Sequence, residues 1–177
     1  NGATWTQEFT HDVGLRIAWT LRPEISVRQP GWEYRRGKMT GTCVHCHSPE
    51  WVRNFFIQFD STVFLYNEKF AEPALVIMKQ LLEAGKRTSS PFDDEIEWTY
   101  FLLWHHEGRR ARHGAAMMGP DYTQWHGFFE VAERFYLHFI PEAEHLLPGV
   151  TDPVLAEDDH QWLKGMPDDL RKNLKQQ

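Results

Sequence analysis

Residues 48–63, SPEWVRNFFIQFDSTV, decide the fold class. Ser48 offers a side-chain oxygen to the open N–H groups of a helix start, Pro49 suits the first helical position, and Glu50 puts an acid in the first turn. Behind that signal, Val52, Phe55, Phe56, Phe59 and Val63 recur at spacings of three and four, the period of one helix face. Pro73 is expected to kink or interrupt the helix, because it lacks an N–H and crowds the preceding turn. The apolar pattern then resumes through Leu75, Met78, Leu81 and Leu82 and stops at Gly85.

Working outward, the same start signal returns at Ser90-Pro91-Phe92-Asp93 and predicts a helix through Ile96, Trp98, Phe101, Leu102 and Trp104 into His105-His106. Gly119-Pro120-Asp121 breaks and restarts the chain. The stripe Trp125, Phe128, Phe129, Ala132, Phe135, Tyr136 and Phe139 that follows reads as core. Upstream, residues 5–21 predict a first helix ending before Pro23, then a loop to Trp32, then a short helix through Tyr34 and Met39. From Pro141 onward the chain becomes more polar, and a short terminal helix is expected after Asp158. The fold class is therefore mainly α, in three stretches: residues 1–48, a long-helix bundle over 49–147, and a tail over 148–177.

Composition narrows the function. The 177 residues are 41% apolar and 14% aromatic, with 8 Trp and 12 Phe, enough for a real core and for walls around a flat cofactor. A net charge of −6 and a pI near 5.9 exclude the basic face that nucleic acid requires. No run reaches the roughly 18 to 20 apolar residues of a membrane span. The sequence starts at Asn1 without a signal pattern, so it is expected to begin inside a longer precursor.

The only two cysteines lie in Cys43-Val44-His45-Cys46-His47, the C-x-x-C-H pattern of c-type haem attachment. Two thiols three residues apart can add to the two vinyl groups of one porphyrin, and the next residue then supplies an imidazole to the iron. Zinc would require a second ligand pair, and a redox dithiol would sit in a βαβ setting that this helical sequence does not offer. Haem attachment implies an extracytoplasmic compartment, the periplasm or its equivalent. For a second axial ligand His11 is a candidate on the first helix, while Met39 is too near the cysteines to reach the opposite face. The segment His105-His106-Glu107-Gly108-Arg109-Arg110-Ala111-Arg112-His113 has two readings: a charged helix end, or haem contact with the arginines on propionates.

A longer string adds to this. Trp98-Thr99-Tyr100-Phe101, Trp104 to Arg112, Gly114-Ala115-Ala116-Met117-Met118-Gly119-Pro120-Asp121-Tyr122 and Trp125-His126-Gly127-Phe128 closely resemble the C-terminal part of hydroxylamine oxidoreductase and of related octahaem enzymes such as hydrazine dehydrogenase. Arg22-Pro23-Glu24-Ile25-Ser26-Val27 and Tyr66-Asn67-Glu68-Lys69-Phe70 extend the resemblance to roughly residues 10–145. It implies a periplasmic homotrimer of multihaem subunits that oxidises a small nitrogen compound, hydroxylamine or hydrazine, and passes electrons through c-type haems to a redox partner cytochrome. It also implies that Tyr122 bonds covalently to the catalytic haem of a neighbouring subunit. His126 in Trp125-His126-Gly127 matches a distal iron ligand to a haem attached elsewhere, and His11 takes the same role in a second place. A full family member carries eight attachment motifs and this sequence carries one, so the resemblance is to the C-terminal portion. The competing reading is a single-haem cytochrome that transfers electrons and transforms nothing.

Overall fold

The computed structural model describes residues 32–161. The helix expected over residues 5–21, with His11 on it, lies outside the described residues. The described residues are helical, with no strand among them.

Helix α1, Trp32–Cys43, leads into the cysteine motif. Helix α2, Pro49–Tyr66, starts where the sequence says it should: the Trp51 N–H donates to Ser48 Oγ at 3.2 Å, with Pro49 at the first helical position. Its face of Val52, Phe56, Phe59, Val63 and Tyr66 is buried. The helix is not broken at Pro73. It passes through a π-helical segment, Asn67–Ala71, in which the Glu72 N–H reaches back five residues to the Asn67 carbonyl, and continues as α3, Glu72–Glu83. The widened turn draws the backbone away from the ring that would otherwise clash with the carbonyl four residues earlier. Gly85, at φ +65°, then ends α3 with the Lys86 N–H on the Leu81 carbonyl and its own on Leu82, a Schellman closure.

The next helix starts later than the Ser90-Pro91 signal suggests. Residues 86–94 form a loop in which the Asp94 carboxylate accepts from the Thr88 N–H and the Asp93 carboxylate from the Thr88 hydroxyl. Helix α4 spans Glu95–Phe101, continues through a π segment, Leu102–Glu107, and ends as α5, Gly108–Ala116. The break at Gly119-Pro120 is where the sequence places it, and α6, Pro120–Thr123, begins there. A π segment Gln124–Phe129, α7 (Glu130–Glu133), a second π segment Arg134–Phe139 and α8 (Ile140–Leu146) then make one continuous rod. Pro141 repeats the arrangement at Pro73, two residues beyond the end of a π segment, with the Ile140 N–H on the Phe135 carbonyl.

Those π segments redistribute the aromatic stripe. Each adds about one residue to the helical repeat and so rotates the following face by about 100°. Phe135 and Phe139 are fully buried with Phe59, Ile77, Leu81 and Leu103, whereas Trp125 is 64% exposed and Phe129 is also exposed. The expected single core stripe is therefore two faces. Helix α2 packs on α5, α3 on α8, and α4 on the Arg134–Phe139 segment. Beyond Pro148, Val150 and Val154 of the polar stretch also enter this core, the latter from α9, Asp152–Leu155. The terminal helix expected after Asp158 falls mostly outside the described residues, which end with one 3₁₀ turn, Asp158–His160.

Candidate functional site

Cys43 is the last residue of α1, and residues 44–46 turn immediately beyond it. The Cys43 carbonyl accepts from the N–H groups of both Cys46 (3.1 Å) and His47 (2.9 Å), so the motif forms one tight turn. Both thiols are free, Cys46 exposed and Cys43 half-buried, and His47 is exposed. No disulfide joins them. Among the described residues the one cluster of three potential metal ligands is Asp93, Asp94 and Glu97, which contains no cysteine and whose two aspartates tie down the loop at Thr88. The residues present fit a haem: two unpaired thiols and an accessible imidazole share one turn. Met39 sits one turn before Cys43 on the same helix.

The turn is anchored on both sides. Arg36 of α1 makes a two-pronged ion pair with Asp60 of α2, at 2.7 and 2.5 Å, with its guanidinium 4.6 Å over the Phe56 ring. A bidentate pair fixes direction as well as distance, so α1 is held against α2. On the other side the capped start of α2 carries Trp51, whose indole stacks on the His47 imidazole with centroids 4.0 Å apart and planes 13° apart.

The second group lies at the start of the last long rod. Tyr122 is 57% exposed, and its neighbour is not Trp125 or Phe129, which pair with each other, but His126 at 5.6 Å between centroids. His126 Nδ1 is 3.0 Å from Glu130 Oε1, and the other oxygen of Glu130 takes Arg110 at 2.5 Å. A carboxylate only accepts, so Nδ1 carries a proton toward Glu130, while Nε2 faces a second carboxylate, Asp121 Oδ2, at 3.7 Å. Arg110 also donates to His106 Nε2 at 2.9 Å, which sets the opposite nitrogen of that ring as the protonated one. Both the His105-His106 pair and His126 lie on π segments, a local geometry frequent at functional positions. Two glycines make this arrangement possible. A Cβ on Gly127 would lie 2.5 Å from the Tyr122 carbonyl oxygen and 2.7 Å from Ala111 Cα, and one on Gly114 would lie 2.6 Å from the Thr123 nitrogen.

The basic segment resolves into separate roles. Arg112 is completely buried with its guanidinium 4.2 Å over the Tyr66 ring, so it is a core cation–π partner that cannot hold a propionate at the surface. Arg110 belongs to the His126 network, and Glu107, also buried, takes Arg134 at 3.0 Å. His105 stacks on Phe101 at 4.4 Å.

Sequence reasoning missed Trp51 and Glu130, and it offered Arg110 to haem propionates where the structure pairs it with Glu130. The signal for the first two was present as spacing: Trp51 is four residues after His47 and Glu130 four after His126, one helical turn in each case. It also missed a partly buried pair remote from the motif, in which the Tyr136 hydroxyl and His160 Nδ1 share a hydrogen bond of 2.8 Å. Burial, with Asp159 nearby, pushes the Tyr136 phenol up to about 12, so its proton stays in place. Burial, with Lys69 nearby, holds the His160 imidazole below its ordinary value against the opposing pull of Glu157 and Asp159. Burial likewise raises Tyr100 far above the ordinary phenol range. No helix among the described residues is long and apolar enough to cross a membrane. No protein-family model, curated protein or solved structure matches this chain.

Proposed function

We propose that this chain is the C-terminal, haem-binding and trimer-forming part of a hydroxylamine oxidoreductase-like enzyme, which oxidises a small nitrogen compound outside the cytoplasm. The observation that carries the reading is the single exposed turn holding Cys43, Cys46 and His47 with both thiols free. Each S–H would add across one porphyrin vinyl group to leave a thioether, and His47 would supply the axial nitrogen. A haem so bound supplies one-electron transfer. The net charge of −6 suits delivery of those electrons to a cationic partner cytochrome.

Tyr122 is assigned to the catalytic haem of a neighbouring subunit. Its exposure, with that of Met117, Met118, Trp125 and Phe129 in the same stretch of chain, supports this, because so many exposed apolar side chains favour a protein contact over water. His126 is the candidate iron ligand for a haem attached elsewhere, since Glu130, itself held by Arg110, fixes its ring through Nδ1; Nε2, which would coordinate, would then turn from Asp121 Oδ2, 3.7 Å away. Peptide mass spectrometry of the intact assembly tests the whole reading. It should find the Tyr122 peptide joined to a haem other than the one on Cys43 and Cys46, and Tyr122→Phe should abolish both that adduct and oxidation of the nitrogen substrate. A local haem without any Tyr122 adduct would instead make the chain a plain electron-transfer cytochrome.

A further inference from the structure

An axial histidine usually has its ring plane set by a hydrogen bond from Nδ1 to a carbonyl or carboxylate. Among the described residues no hydrogen bond reaches the His47 ring. What touches it is the Trp51 indole, face to face at 4.0 Å and 13°. Trp51 is itself held twice. Its N–H donates to Ser48 Oγ, which ties it to the helix start, and its ring lies nearly parallel to Phe55 (6.4 Å, 9°), which lies nearly parallel to Phe59 (6.4 Å, 8°). The rings at 47, 51, 55 and 59 therefore form a ladder at four-residue intervals whose foot, Phe59, is fixed in the core. Trp51 is 40% exposed, so core packing does not account for a residue of this size in the first turn.

We propose that Trp51 is a positioning residue for the haem. Resting on the haem reading given above, its indole blocks rotation of the His47 imidazole about the Cβ–Cγ bond, so the axial nitrogen is presented in one ring orientation. The plane of an axial imidazole selects which iron d orbital it overlaps, and that choice is written in the g values of the ferric ion. A side chain that only supported the helix would leave those values alone.

The 177-residue chain is to be produced with a haem-attachment system in three forms: native, Trp51→Ala and Trp51→Phe. Haem content is read by mass and by the pyridine haemochrome, helicity by circular dichroism, and ring orientation by electron paramagnetic resonance of the ferric form. All three should attach haem and keep their helicity. Trp51→Ala should broaden the signal and displace its lowest-field g value, and Trp51→Phe, which retains a stacking face, should restore the native position. Superimposable g values for native and Trp51→Ala with haem attached overturn this inference and leave the haem reading intact. A native chain that attaches no haem overturns both.

Discussion

The closest approach in the candidate site is made by a residue with no side chain, and one methyl group tests it. Gly127→Ala would place a Cβ 2.5 Å from the Tyr122 carbonyl oxygen and 2.7 Å from Ala111 Cα. Both are backbone atoms, so no rotamer change relieves the clash, and the π segment Gln124–Phe129 must shift away from α5 and from its own preceding turn. Overpacking of this kind costs about 1–3 kcal/mol, with two backbone contacts placing it near the upper end. Alanine's better helix propensity returns at most about 1 kcal/mol, which leaves a net loss of about 2 kcal/mol. For a chain of this length that is a fall in Tm of about 4–8 °C. Gly37→Ala is the internal control. It lies inside α1 with nothing within 4 Å of the added Cβ, so there only propensity acts and stability should rise by up to about 1 kcal/mol. Thermal and urea unfolding followed at a helix band would report both. Gly127→Ala leaving stability unchanged or raised would refute the close-packing argument, and with it the account of how Tyr122 and His126 are held.

Three further outcomes follow from local features. Met118 sits at φ +55° just past α5, where the Gly119 N–H bonds the Gly114 carbonyl and its own bonds Ala115, so it occupies the position glycine prefers in a Schellman closure. Met118→Gly should therefore stabilise by about 1 kcal/mol in chemical denaturation, and a loss would show that its exposed side chain contributes more than its backbone strain costs. The folded pKa of His160 lies below the ordinary 6.5, so the unfolded chain takes up the proton first as pH falls. The stability it supports is complete above the ordinary value and is lost as pH drops toward the folded one. Denaturation midpoints between about pH 7.5 and about pH 5.5 should accordingly fall more in the native chain than in His160→Gln, and equal falls would contradict the assignment. Tyr122→Phe, at an exposed position whose one aromatic ring contact among the described residues is His126, should shift stability by less than about 0.5 kcal/mol, which separates its loss of adduct from any loss of fold.

What a single stretch of chain could specify was legible without a structure. The start of α2 at Ser48-Pro49, the end of α3 at Gly85 and the restart at Gly119-Pro120 depend on capping oxygens, a missing N–H and a left-handed glycine, all within a few residues. The cysteine motif is equally local, since the spacing of two thiols and an imidazole is a property of one turn. The start expected at Ser90 failed for the opposite reason: the Asp93 and Asp94 carboxylates reach back to Thr88 and hold the loop closed until Glu95.

Tertiary structure decided which faces meet. The π segments at Asn67–Ala71 and Arg134–Phe139 let two prolines pass inside continuous helices, and the register they shift buries Phe135 and Phe139 while leaving Trp125 and Phe129 exposed. The same packing sent Arg112 inward onto Tyr66, 46 positions away in the chain (112 − 66), and Arg110 outward to Glu130, 20 positions away. Helical periodicity assumes a constant 3.6 residues per turn, whereas the position of each inserted residue is set by contacts between segments far apart in sequence. A helix can be read from its own residues, but the direction its side chains face is fixed by what it packs against.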